Sequence, residues 1–84
     1  MKSLVHPDFW ELYSALPREV QLLANKCYRL WLKDFRYPSL HFKPINQGIW
    51  SIRVGAHYRA VGYFETNAVF VWTWIGTHEE YNKL

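Results

Sequence analysis

Trp50-Ser51-Ile52-Arg53-Val54-Gly55-Ala56-His57-Tyr58-Arg59-Ala60-Val61-Gly62-Tyr63 is the stretch on which the fold turns. On both sides of Gly55-Ala56-His57, β-branched and aromatic residues recur with a period of two, the mark of paired strands. Reading those three residues as a hairpin loop pairs Val54 with Tyr58 and sets Arg53 directly across from Arg59. A loop one residue longer or shorter would send the two arginines to opposite faces, because successive strand side chains point to opposite sides.

Outward from this hairpin, strands are also expected at Leu40 to Lys43, bounded by Pro44, and at Val69 to Ile75, with the central pair running Ile49 to Val54 and Tyr58 to Glu65. A turn at Thr66-Asn67 would pair Glu65 with Ala68. Toward the amino end the period lengthens. Pro7 fits the first turn of a helix through Tyr13, and Leu16-Pro17 breaks it, since the residue before proline is pushed out of the α region. From Arg18, the apolar set Val20, Leu23, Ala24, Cys27, Leu30 and Trp31 recurs at three- and four-residue steps, predicting an amphipathic helix of about four to five turns that Tyr37-Pro38-Ser39 ends. Residues 2 to 6 offer at most a stub of strand. The expected fold is α+β, with residues 1–84 as a single domain: two N-terminal helices packed on a small antiparallel β-sheet, and a short C-terminal helix.

Strict alternation sorts the sheet into two faces. Ile52, Val54, Tyr58, Ala60, Phe64, Val69, Val71 and Ile75 form a dry set for the helices. The opposite face takes Ser51, Arg53, Arg59, Val61, Tyr63, Phe70, Trp72 and Trp74. Like charges directly opposed across strands destabilise a sheet by a few tenths to about 1 kcal/mol. An anion between Arg53 and Arg59 would account for them. So would stacking of each guanidinium on a Trp or Tyr, or pairing with Glu65, Glu79 or Glu80. Thr77 and Glu80 have the spacing of a capping box, so a short helix should begin at His78, and a helix amino end favours anions. Antiparallel order brings Arg53, Arg59 and His78 to one corner. Two fixed cations and a group titrating near neutrality suit phosphate binding or phosphoryl chemistry.

Half of the residues are hydrophobic and 19% are aromatic, which suits a packed globule rather than a disordered chain. Lys and Arg number 10 against 7 for Asp and Glu, a mild surplus in the direction of a nucleic-acid partner. Cys27 stands alone, excluding an intrachain disulfide and fitting a reducing compartment. No run approaches the ~20 apolar residues of a membrane span, and the first residues lack the apolar stretch of a signal peptide, so a cytoplasmic protein without a membrane partner is expected. His6, His41, His57 and His78 show no ligand spacing, so neither a metal nor another cofactor is expected.

The strings Leu40-His41-Phe42-Lys43, Trp50-Ser51-Ile52-Arg53-Val54, His57-Tyr58-Arg59-Ala60-Val61-Gly62-Tyr63 and Trp74-Ile75-Gly76-Thr77-His78-Glu79-Glu80-Tyr81 resemble the RelE/ParE superfamily of bacterial toxins from type II toxin-antitoxin pairs. The resemblance spans nearly the whole chain. It implies helices against a curved sheet whose concave face carries the active residues, a flank wrapped by a cognate antitoxin protein, and RNA as substrate, usually messenger RNA on the ribosome. RNA-cutting members promote attack of the ribose 2′-hydroxyl on the adjacent phosphate and so inhibit translation. By that resemblance Arg59 stabilises the phosphorane and His78 is the general acid or phosphate anchor. Arg53 neutralises a neighbouring phosphate, and Tyr81 stacks a base or bonds a phosphate oxygen. Lys43 adds charge at the rim, with Tyr63, Trp72 and Trp74 as RNA-binding rings. Two departures stand out: Leu40 to Ser51 contains no acid where such relatives carry a glutamate base, and the opening strand of many members is reduced to a stub. The competing functions are a ParE-like inhibitor of DNA gyrase with no chemistry of its own, and a plain RNA-binding or partner-only module.

Overall fold

In the computed structural model, which describes residues 2–84, the chain runs β1 (Lys2–Val5), α1 (Pro7–Ser14), α2 (Arg18–Lys33), a 3-10 turn (Pro38–Leu40), β2 (Lys43–Asn46), β3 (Ile49–Val54), β4 (Tyr58–Thr66), β5 (Val69–Thr77) and α3 (His78–Tyr81). One sheet in the order β1-β5-β4-β3-β2 collects all five strands. The β2 to β5 strands form an antiparallel meander, and β1 lies parallel to β5 at the far edge. No helix among the described residues is long and apolar enough to cross a membrane.

Local chemistry places the helices where the sequence puts them. Pro7 occupies the first helical position, and the His6 imidazole caps the turn by accepting from the Asp8 amide at 3.1 Å. The second helix has the expected length of about four to five turns and stops at Lys33, where Asp34 turns extended and its carboxylate accepts from the Arg36 amide and guanidinium. Val20, Cys27 and Trp31 are its buried face. The Trp31 ring is the hub of the core, with Phe42, Phe70 and Trp72 at centroid distances of 5.7, 5.3 and 5.2 Å. Beside it, burial pushes the Cys27 thiol pKa up.

Four sequence expectations are corrected. The opening stub is a full four-residue strand, paired from Lys2↔Val69 to Val5↔Trp72. The first meander strand is Lys43–Asn46 rather than Leu40 to Lys43, and Pro44 lies within it, which an edge strand tolerates because its outer amides have no partner. The last hairpin turns at Asn67-Ala68, pairing Thr66 with Val69 instead of Glu65 with Ala68.

The fourth correction matters most for the site. Between the pairs Gly62↔Trp72 and Val61↔Trp74, β5 carries one extra residue, Thr73, whose hydroxyl donates to the Val61 carbonyl. This bulge inverts the alternation upstream of it. Phe70 and Trp72 therefore enter the helix-side core, 0% and 3% exposed, and Val69 and Val71 leave it. Gly62 makes the bulge possible, since a Cβ there would collide with the Val71 carbonyl and the Phe70 ring. Trp74 and Ile75, downstream, keep the faces that alternation gives them.

Candidate functional site

The β3-β4 hairpin has the predicted register: Val54 pairs with Tyr58 and Arg53 with Arg59, on the face turned away from the helices. Gly55 permits it by adopting φ +65, a conformation open to glycine. Arg59 in turn pairs with Gly76, and Tyr58 with Thr77, so α3 starts beside the first residues of β4. The His78 amide donates to the His57 carbonyl at 2.7 Å, fastening the helix start to the hairpin loop. Arg53, Arg59 and His78 are thus brought to one end of the sheet.

The capping box is complete: Thr77 Oγ1 accepts from the Glu80 amide, and Glu80 Oε1 accepts from the Thr77 amide at 2.9 Å. That amide, followed by the Thr77 hydroxyl, holds the Glu80 carboxyl below the usual carboxylate range. Its principal role is therefore structural. Being a single turn, α3 carries only part of a helix dipole, so side chains rather than the helix end supply the site's charge.

Tyr81 sits at the centre of this end. Its ring stacks on His78 at 6.1 Å and 22°, the Arg59 guanidinium lies 5.9 Å from its centroid, and its hydroxyl is 3.3 Å from Ser51 Oγ. Arg59 also donates to the Tyr58 carbonyl at 2.9 Å, so both contacts hold its guanidinium near the strand. Arg53 reaches the other way, placing Nη1 3.4 Å from His41 Nε2. The ion pairs among the described residues are His6–Asp8 and Asp34–Arg36, both remote. Of the ways to accommodate the opposed cations, aromatic stacking is realised for Arg59 and carboxylate pairing for neither.

The RNA-binding candidates divide. Lys43 is exposed on β2, across from Ser51 and two ladder positions from the arginine pair. Trp74 is half-buried on the open face, where with Ile45, Ile49, Val61, Tyr81 and Leu84 it lines a groove of about 520 Å³. Tyr63 is exposed at the far end of the same face, opposite Ile49. Trp72 has no access to it, since the Thr73 bulge turns its ring into the core against Trp31 and Phe70. Sequence reading passed over His41, whose contact with Arg53 crosses from an irregular segment and leaves no periodic signal. Among the described residues no three His, Cys, Asp or Glu side chains cluster as metal ligands.

Residues 18–83 match the family described as the ParE-like toxin domain. No protein with a curated description is significantly similar in sequence. Solved structures share the fold across almost all of the chain. A YoeB/ParE toxin from Agrobacterium tumefaciens superposes with a TM-score of 0.72 at 18% identity, covering 93% of this chain and 99% of that one. The RelB-RelE antitoxin-toxin complex from Methanococcus jannaschii gives 0.75 at 13% identity, with 95% of each chain covered. The RelBE2 toxin-antitoxin complex from Mycobacterium tuberculosis gives 0.72 at 14% identity, covering 92% of this chain and 96% of that one. At these identities the likeness is one of fold.

Proposed function

The chain belongs to the ParE-like toxin domain family and is a RelE/ParE-type toxin of a toxin-antitoxin system, and we propose that it acts as a metal-independent endoribonuclease that cuts messenger RNA and stops translation. The observation that carries this reading is the pair of arginines opposed in the strand ladder, Arg53 and Arg59, with no carboxylate partner and with the start of α3 at His78 at the same end of the sheet. An anion held between them would offset the repulsion that the opposed positions impose.

The RNA backbone would cross the end of the sheet with its scissile phosphate over Arg59. Attack of the ribose 2′-oxygen on phosphorus builds charge on the equatorial oxygens, and Arg59, held near the strand by Tyr58 and Tyr81, meets that charge without reorganising. His78, exposed and stacked on Tyr81, gives its proton to the departing 5′-oxygen. The products are a 2′,3′-cyclic phosphate and a 5′-hydroxyl. Arg53 and Lys43 neutralise neighbouring phosphates, and Tyr81, Trp74 and Tyr63 offer faces for stacked bases. Trp72 has no part in this.

A cognate antitoxin is the expected protein partner. Beneath α1 lies an apolar cleft walled by Val5, Phe9, Trp10, Tyr13 and Tyr28, with Trp10 half-exposed at its mouth, and α1 itself buries no residue fully. Such a face suits a segment of a partner chain. The M. jannaschii and M. tuberculosis neighbours are toxin-antitoxin complexes.

A second reading, inhibition of DNA gyrase without chemistry, is favoured by one observation: the Glu80 carboxylate is engaged by Thr77, and neither arginine makes an ion pair with a carboxylate. Growth arrest by wild type, Arg59→Ala and His78→Ala separates the two, with circular dichroism to show that the variants fold. Cleavage predicts that both substitutions relieve arrest and that supercoiling by gyrase is unaffected. Arrest that survives both, together with inhibited supercoiling, sinks the nuclease reading.

A further inference from the structure

The reaction proposed above leaves the 2′-hydroxyl proton without an acceptor, and the structure points to one. The β2-β3 ladder starts at the pair Lys43↔Ser51, and just before it the His41 ring comes within 3.4 Å of Arg53 Nη1. A lateral row across the end of the sheet then reads His41, Arg53, Arg59 and Gly76, with His78 just past the last position. Two imidazoles bracket two guanidiniums.

His41 is held there firmly. Leu40 before it is 1% exposed in the core, and Phe42 after it packs against Trp31 and Trp50 at 5.7 and 4.7 Å, so the intervening side chain is directed outward. Its backbone takes φ 49, a left-handed conformation costly for a residue with a Cβ and frequent at functional positions. A guanidinium only donates hydrogen bonds, so in the 3.4 Å contact between Arg53 Nη1 and His41 Nε2 the imidazole nitrogen is placed as the acceptor. An accepting nitrogen is what a general base needs.

We propose that His41 is the general base of the cleavage, a proposal that rests on the nuclease reading. When Arg53 turns from His41 to a backbone phosphate, Nε2 is freed and takes the proton of the 2′-hydroxyl. The 2′-oxygen forms its bond to phosphorus, the bond from phosphorus to the 5′-oxygen breaks, and His78 as imidazolium supplies the proton to that oxygen. One proton enters at His41 and one leaves from His78, so the step balances with no water, metal or carboxylate. In-line displacement needs base and acid on opposite sides of phosphorus, with nitrogens about 9 Å apart when each hydrogen bond is ~2.8 Å. From Arg53 across Arg59 to Gly76 the ladder spans roughly 10 Å, two strand spacings of ~4.8 Å, with His41 beyond Arg53. The mechanism requires the side chains at both ends to lean inward to that separation, with Arg59 between them.

The test is single-turnover cleavage of the RNA site mapped in cells, presented free and on programmed ribosomes, with an ordinary 5′-oxygen or a bridging 5′-sulfur at the cut. His41→Asn removes the base while keeping a residue that accepts the left-handed backbone, and circular dichroism checks its fold. With the ordinary RNA, His41→Asn and His78→Ala should each slow cleavage by about 10²–10⁴-fold. Thiolate leaves without a proton, so 5′-sulfur should restore His78→Ala to within a few-fold of wild type and leave the His41→Asn defect intact. A His41→Asn rate within about threefold of wild type overturns the proposal alone, as does rescue of His41→Asn by sulfur. A wild type that cuts neither RNA removes the nuclease reading and this one with it.

Discussion

Removing one of the opposed guanidiniums should stabilise the fold while weakening its activity. Arg53→Met keeps the apolar stem and deletes only the charge, and what it gives up is one long contact, 3.4 Å to His41. Arg53 faces Arg59 in the ladder without a carboxylate neighbour, so the repulsion removed should be about 0.3–1 kcal/mol. An 84-residue chain unfolds with an entropy of about 0.18 kcal/mol/K, at ~2.1 cal/mol/K per residue, and the gain becomes a rise in Tm of about 2–6 °C. Thermal unfolding by circular dichroism in low salt measures it. Near 1 M salt, where the screening length falls to about 3 Å, the gain should shrink. In an Arg59→Met background it should vanish. A fall in Tm, or a rise that ignores both salt and the Arg59→Met background, would refute the idea that these cations repel across the strands.

Trp72→Ala and Trp74→Ala should differ: the first, in the core, costs about 3–5 kcal/mol in denaturant unfolding, while the second, half-buried on the open face, costs less stability and weakens RNA binding by about 1–3 kcal/mol. Gly62→Ala should destabilise by more than about 3 kcal/mol, because the new methyl meets a strand carbonyl and the Phe70 ring; urea unfolding that shows less than 1 kcal/mol would contradict the bulge geometry. Thr77→Ala should cost about 0.5–2 kcal/mol through loss of the cap and slow cleavage by loosening Tyr81. Glu80 has its carboxyl pKa lowered in the fold, so its contribution to α3 is full above the usual carboxylate range and is lost as pH falls through the lowered value. Amide shifts of Thr77 and Glu80 followed through an acid titration should move together in that window.

The parts of this molecule that local chemistry dictates were legible in its sequence. The β3-β4 register follows from Gly55, which accepts the left-handed turn that Val54 and Tyr58 need in order to pair. The start of α3 follows from Thr77 and Glu80. Partnerships with distant strands were less legible. Lys2 to Val5 is too short to declare a strand by alternation, and its partner β5 lies more than sixty residues away. The bulge left one faint sign: strict alternation back from Ile75 would bury the hydroxyl of Thr73, whereas the extra residue lets it reach the Val61 carbonyl. Missing that sign exchanged Phe70 and Trp72 for Val69 and Val71, and so offered Trp72 to a substrate it cannot touch.

Mapping RNA 5′ ends in cells after a brief pulse of wild type or Arg59→Ala tests the central claim most directly. New 5′-hydroxyl ends within messages, present with wild type and absent with a folded Arg59→Ala, are the predicted result. Intact messages together with an induced DNA-damage response would contradict it.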